Sequence, residues 1–243
     1  MARRGKKPEK QYRSRVLEIP HELDYYPTPP FATRMFCDRL CTYIGDYDKL
    51  KTMTVWEPAC GEMHMARPLA EYFGHVRASD VHAYSAHEIC DFPLVGRMEP
   101  DCVDWVITNP PFLLAEDFVE AGLRAARRGV AILVRTAFAE SRARYNRLFG
   151  SQPPSFIWQF VDRVVLLDQR LVRKGETDPA SDDTASSATA YCWMVWLTDD
   201  TSGETHFGWL DGNPKRFEAA NDYPSYIIEG DKFELATEKA GAP

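Results

Sequence analysis

Apolar and polar positions recur with two different periods along this chain, and the periods divide it into elements. Phe31, Met35, Phe36, Leu40 and Tyr43 stand at helical spacing, and Pro30 suits the first helical position. Thr52–Trp56 then reads as a strand, broken at Glu57-Pro58-Ala59-Cys60-Gly61. A helix is predicted over 65–73, with Gly74 as its stop. Val76–Ser79 is a short strand ending at Asp80, and Val103–Thr108 is another, halted by Asn109-Pro110-Pro111-Phe112. A helix follows over 115–127, and Gly129 opens the strongest strand, Val130–Val134.

Strands alternating with helices in this way predict an α/β fold with a doubly wound, mainly parallel sheet. Ligands in such sheets sit at the carboxyl ends of the strands. The least ordinary residues of the chain fall at those ends: Glu57 to Gly61, Asp80, and Asn109 to Phe112. Beyond residue 135 the pattern loosens. A helix is predicted over 141–149, strands within 158–167, and a mobile Ser/Thr/Asp/Gly-rich loop over 174–188. Ala190–Leu197 is a clear strand, predicted to pair with 205–210 across a turn at 199–203, so that an antiparallel strand pair closes the sheet. The expected organisation is one domain over 19–232, with room for a small recognition insertion at 136–187. A disordered basic arm is expected at 1–18 and a disordered tail at 233–243.

Composition narrows the classes. A chain of 243 residues that is 44% hydrophobic can build a sizeable core. No apolar run approaches the roughly 20 residues of a bilayer span, so no membrane partner is expected. The basic start Met1–Lys7 lacks the apolar stretch of a secretory signal. Six scattered cysteines show no second Cys/His pair at zinc spacing, which predicts buried, reduced thiols, no metal and a cytoplasmic protein. The net charge of -7 speaks weakly against nucleic acid, but its distribution is uneven. Basic residues crowd the first arm and the stretch from Arg124 to Lys174, while acids concentrate at 176–183 and 199–204. Such a stretch supplies a face for a polyanion, or a set of ordinary solvated helix faces.

Asn109-Pro110-Pro111-Phe112 carries the sharpest chemistry. Two prolines stiffen the backbone and remove two N–H donors, so carbonyls there face a ligand without competing amides. The Asn109 amide oxygen and the Pro110 carbonyl are two acceptors that can hold the two hydrogens of an exocyclic amine. That hold turns the nitrogen lone pair outward. Phe112 offers a flat face to a planar ring. Glu57-Pro58-Ala59-Cys60-Gly61 suits close approach of backbone to a nucleotide-like ligand, or an ordinary structural turn. Asp80 is placed to accept from two ribose hydroxyls, or to cap a helix. Asp91-Phe92 can hold an adenine ring by its amine and by stacking.

In that chain order the segments resemble the N6-adenine DNA methyltransferases, especially the short forms of phages and prophages. The resemblance runs from Tyr26 to about Leu197. Tyr26-Pro27-Thr28-Pro29 is similar to the segment at the methionine end of the family's cofactor, S-adenosylmethionine. Glu57-Pro58-Ala59-Cys60-Gly61 resembles the cofactor loop, and Asp80, Asp91, Phe92 and Asn109 its further contacts. Asn109, Pro110, Pro111 and Phe112 match the catalytic motif. Ser187–Trp193 resembles the late strand that walls the target base, through Tyr191 and Trp193. Cofactor motif before catalytic motif is the gamma-like order. The resemblance implies a class I, Rossmann-like methyltransferase fold, a small-molecule methyl donor and a DNA partner in a bacterial or phage-infected cell. It implies base flipping and methyl transfer to adenine N6. The family's loop carries glycine where this chain has Met63, which implies a crowded cofactor or a strained backbone. Guanine amines in RNA and glutamine amides in proteins are modified at similar Asn-Pro-Pro-aromatic sites. A catalytically inert DNA-binding relative is the reading from another class.

Overall fold

A computed structural model describes residues 23–224 and the backbone of two further strands, Tyr226–Glu229 and Lys232–Leu235. The arm expected over 1–18 lies outside the described residues, as does the expected tail from 236 on, while its first residues, 233–235, belong to a strand.

Eight strands form one sheet in the order β3-β2-β1-β4-β5-β7-β6-β8. In chain order these are β1 (Thr54–Glu57), β2 (His75–Asp80), β3 (Glu88–Ile89), β4 (Val103–Thr108), β5 (Ala126–Arg135), β6 (Phe156–Phe160), β7 (Tyr191–Leu197) and β8 (His206–Leu210). Pairing is parallel from β3 through β5, and β7 runs antiparallel to both β5 and β6. The chain winds from β1 outward to β3, then returns to lay β4 on the other side of β1. This reversal opens a crevice above the carboxyl ends of β1 and β4.

Helices α1 (Pro30–Ile44) and α2 (Ala66–Tyr72) cover one face, and α3 (Phe92–Met98) and α4 (Ala115–Ala125) the other. α1 starts at proline and ends at Gly45, whose φ of 75° lets its N–H bond the Cys41 carbonyl. Strand alternation divides the core. Trp105, Ile107, Leu133, Trp193 and Val195 pack toward α1 with Phe36 and Leu40. Val106, Val130, Ile132, Met194 and Trp196 pack toward α4 with Phe118 and Val119. Each such side chain contributes about 1.5–3 kcal/mol by leaving water.

The structure departs from the sequence pattern in five places. Strand 206–210 does not pair with 191–197. It pairs in parallel with β6, which lies between them, with Ile157 opposite Phe207 and Gln159 opposite Trp209. β7 is buried along nearly its whole length and needs a partner on both sides, whereas β8 is mostly exposed and fits an edge. The expected helix over 141–149 is a short α turn at Arg142–Arg144 followed by a π turn at Tyr145–Phe149. The strand expected from 130 begins at Ala126, because α4 already ends at Ala125. Helix α3, for which the pattern gave no prediction, starts at Phe92 with Pro93 in its first turn. The segment 174–188 folds on itself through Asp178, which accepts from Arg170 and from the Ala180 N–H.

Candidate active site

The site grows from the two strands at the topological switch. β1 ends at Glu57 and β4 at Thr108, and the Thr108 hydroxyl donates to Glu57 Oε1 at 2.7 Å, tying the two ends together. Glu57 Oε1 also accepts from the Ala59 N–H at 3.2 Å, which turns the loop after β1 inward. Burial pushes the Glu57 carboxyl up to about 8.

The loop from Pro58 to Gly61 is pinned to β2. Asp80 Oδ2 accepts from the Gly61 N–H at 2.9 Å, and its Oδ1 from the His82 N–H at 3.1 Å. Burial raises the Asp80 carboxyl as well. Each oxygen keeps a lone pair free for a ligand hydroxyl. Gly61 has φ of 49°, and a Cβ there would lie 2.4 Å from the Tyr25 ring, so only glycine fits. Met63 adopts φ of 72° and is not among the residues lining the cavity. Of the two consequences expected at this position, the structure has the left-handed backbone.

Residues 23–28 cross the mouth of the crevice as a strap. The Tyr25 hydroxyl donates to Glu62 Oε2 at 3.0 Å, and its ring stacks on Tyr84 at 4.5 Å. Asp24 Oδ2 accepts from the Phe112 N–H at 2.6 Å. The Tyr26 carbonyl accepts from Asn109 Nδ2 at 2.9 Å. That bond fixes the amide orientation, because a carbonyl can only face the NH2 end. Asn109 Oδ1 then points elsewhere. It is buried and has no hydrogen-bond partner among the described residues. Leaving such an acceptor unsatisfied costs about 1–3 kcal/mol.

Strap, loop and strand ends enclose a cavity of about 270 Å³. Of the expected cofactor-contacting residues, Tyr26, Thr28, Glu57, Pro58, Ala59, Cys60, Asp80, Asp91, Phe92 and Asn109 line it, and Pro29 and Gly61 do not. From the Asn-Pro-Pro-Phe segment Pro111 also lines it, while Pro110 is buried. Phe112 is half-buried at the rim, with Tyr26 tilted against it at 5.1 Å and the Arg135 guanidinium over its ring at 4.3 Å. Tyr191 is buried beside Arg135, whose charge opposes the upward push of burial on the phenol.

Trp193 is a correction. It has no exposed surface, packs against Phe36 at 4.4 Å and donates its indole N–H to the Ala32 carbonyl. The period-2 alternation that turns Tyr191 toward the rim does not free Trp193, because α1 covers that face further along the strand. It is a core residue and walls no ligand.

Sequence reading missed Asp24, Tyr25, Tyr84 and Arg135. Arg135 was legible in principle, as a charge that ends the apolar run Val130–Val134 at the carboxyl edge of the sheet. Tyr84 carried no comparable signal, since its place depends on how the loop after β2 folds back. The basic stretch from Arg124 to Lys174 is largely neutralised. Arg127 and Arg128 pair with Asp104, Arg144 and Arg147 with α4 carboxylates, Arg170 with Asp178, Arg173 with Glu176 and Glu218, and Lys174 with Asp162.

The strand order and its switch-point crevice can be set beside solved structures. A candidate RNA methyltransferase from Pyrococcus horikoshii superimposes with a TM-score of 0.53 at 13% identity, over 77% of this chain and 93% of that one. The fold is that of the class I methyltransferases. The modification subunit of a candidate type I restriction enzyme from Vibrio vulnificus aligns at 0.49 and 15% identity, over 76% of this chain and 47% of that one. Magnesium protoporphyrin IX methyltransferase from Synechocystis, solved with bound SAM, aligns at 0.42 and 12% identity, over 68% and 78% of the two chains. No family model and no curated protein matches the sequence. Among the described residues no helix is long and apolar enough to cross a membrane.

Proposed function

We propose that this chain transfers a methyl group from S-adenosylmethionine to the exocyclic N6 of adenine in DNA. The observation that carries the reading is Asn109 Oδ1, a buried acceptor without a partner among the described residues, at the end of β4 and at the edge of the cavity. An amine donating to it repays a desolvation cost the fold already bears.

The cavity suits the methyl donor in its chemistry. Asp80 and Asp91 offer acceptors for hydroxyl and amino groups, Phe92 and Cys60 an apolar wall, and Glu57 a buried carboxyl. When bound, S-adenosylmethionine supplies a methyl group already activated on a sulfonium. The protein's own work is then mostly positioning. Asn109 Oδ1 accepts one amine hydrogen, which directs the nitrogen lone pair away from that bond. The bond strengthens as the nitrogen gains positive character, so it favours the transition state over the bound ground state. The Tyr26 carbonyl keeps the amide from rotating. Phe112 gives the ring a flat stop at the rim once the exposed Arg135 moves off it. An adenine inside a duplex cannot reach this corner without leaving its stack, at a cost of a few kcal/mol.

The direct test offers tritiated methyl donor to the purified chain with double-stranded DNA, RNA and a protein extract in parallel. Label should enter DNA and survive digestion as N6-methyladenine. Label in guanine of RNA or in glutamine, with none in DNA, contradicts the reading. No label in any of them, with no cofactor binding, leaves only an inert relative.

A further inference from the structure

At the far edge of the sheet the structure exposes aromatic surface. Phe207 and Trp209 on β8 are 57% and 58% exposed, stand two residues apart on one face, and meet edge to face at 5.1 Å. They border a groove of about 360 Å³, together with Gln159, Val161, Arg163 and Tyr191. Nothing in the active site described above uses it.

We infer that this groove is a stacking platform for the unpaired nucleotides beside the flipped base. The inference rests on the proposed action on nucleic acid and extends it to a second contact. Three observations carry it. The groove lies at the same edge of the sheet as the catalytic corner: the carboxyl end of β6 borders it, as does Tyr191, which stands opposite Arg135 at the end of β5, and Arg135 covers Phe112. Its charge suits phosphate. Arg163 has no carboxylate partner among the described residues, and Asp162, the one carboxylate bordering the groove, is paired with Lys174. Its aromatic rings are open to solvent on an edge strand, as sequence-tolerant base stacking requires. An extruded base leaves its neighbours partly unstacked, and a platform further along the same edge of the sheet receives them. Most of the other arginines of the basic stretch are already held by carboxylates, so the strand follows Arg135 and Arg163.

Tryptophan fluorescence of the full chain tests this. The chain has six tryptophans. Trp56, Trp105, Trp158, Trp193 and Trp196 are each no more than 2% exposed, so Trp209 dominates what an external quencher reaches. Titration with a single-stranded deoxydodecamer carrying a central adenine should quench emission saturably, and W209F should abolish the quench. W209A and F207A should each weaken dodecamer affinity roughly 5- to 100-fold, the loss of one stacked base. S-adenosylmethionine affinity should stay unchanged in both. Equal dodecamer affinity in wild type and W209A overturns the platform, as does a Trp209 signal that responds only to protein concentration or to peptide. Adenine methylation by the wild type is measured separately. If it proceeds with an unaltered KM in W209A, the platform fails and the reading of the active site stands. If the dodecamer quenches but no adenine is methylated, the active-site reading fails instead.

Discussion

Met63 holds a left-handed backbone that side chains other than glycine adopt at a cost of about 1–2 kcal/mol. M63G should therefore leave stability to urea unchanged or raise it by up to about 1 kcal/mol, since relief of strain outweighs glycine's extra chain entropy. M63V, β-branched at positive φ, should lose about 1–2 kcal/mol. Glu57 makes a different claim. Burial lifts its carboxyl to about 8, above its value in an unfolded chain. The native state therefore binds the proton more tightly, and this residue's contribution to stability falls as pH rises from about 4.5 to 8. E57Q should flatten that part of the stability profile, measured by chemical denaturation at several pH values. A cationic ligand beside Glu57 should release a proton at neutral pH. Calorimetry of S-adenosylmethionine binding in buffers of different ionisation enthalpy checks this. The motifs around these residues were legible because they pair rare residue types with abrupt strand ends. The unpartnered Asn109 oxygen was not, since it depends on the Tyr26 carbonyl 83 positions away.

Helices and strands were readable where a period and a stop coincided, as at α1 with its proline and Gly45. Pairing was less so. The turn-rich segment after β7 resembles a hairpin, yet β6 inserts between β7 and β8, and no local residue announces it. What decides the order is burial. β7 is apolar on both faces and takes an interior slot, while β8 exposes Phe207 and Trp209. Gly129 belongs to the same scale. It sits inside β5, where a Cβ would lie 2.6 Å from the Trp105 ring and 2.7 Å from the Trp196 carbonyl. The carbonyl is backbone and cannot swing aside. G129A should cost about 1–3 kcal/mol by overpacking, seen as a lower denaturation midpoint with an unchanged slope.

At the scale of the whole molecule, charge and topology set the approach of a partner. The basic stretch suggested a broad cationic face, but folding places α4 carboxylates under Arg144 and Arg147. These pairs are partly exposed and worth little stability, yet they remove charge from the surface. R147Q should accordingly change oligonucleotide affinity by no more than about twofold, while R135Q and R163Q each reduce the salt slope of binding by about 0.7 for a single strand. A salt titration of the three variants checks this. All of it converges on the corner after β4, where a shielded amide oxygen waits for a donor. The decisive measurement is the single-turnover methylation rate of N109A on adenine-containing DNA, with S-adenosylmethionine affinity measured alongside. The account predicts a fall of about 100- to 1000-fold in rate with cofactor affinity within a few-fold of wild type. An N109A protein that methylates adenine at the wild-type rate would contradict it.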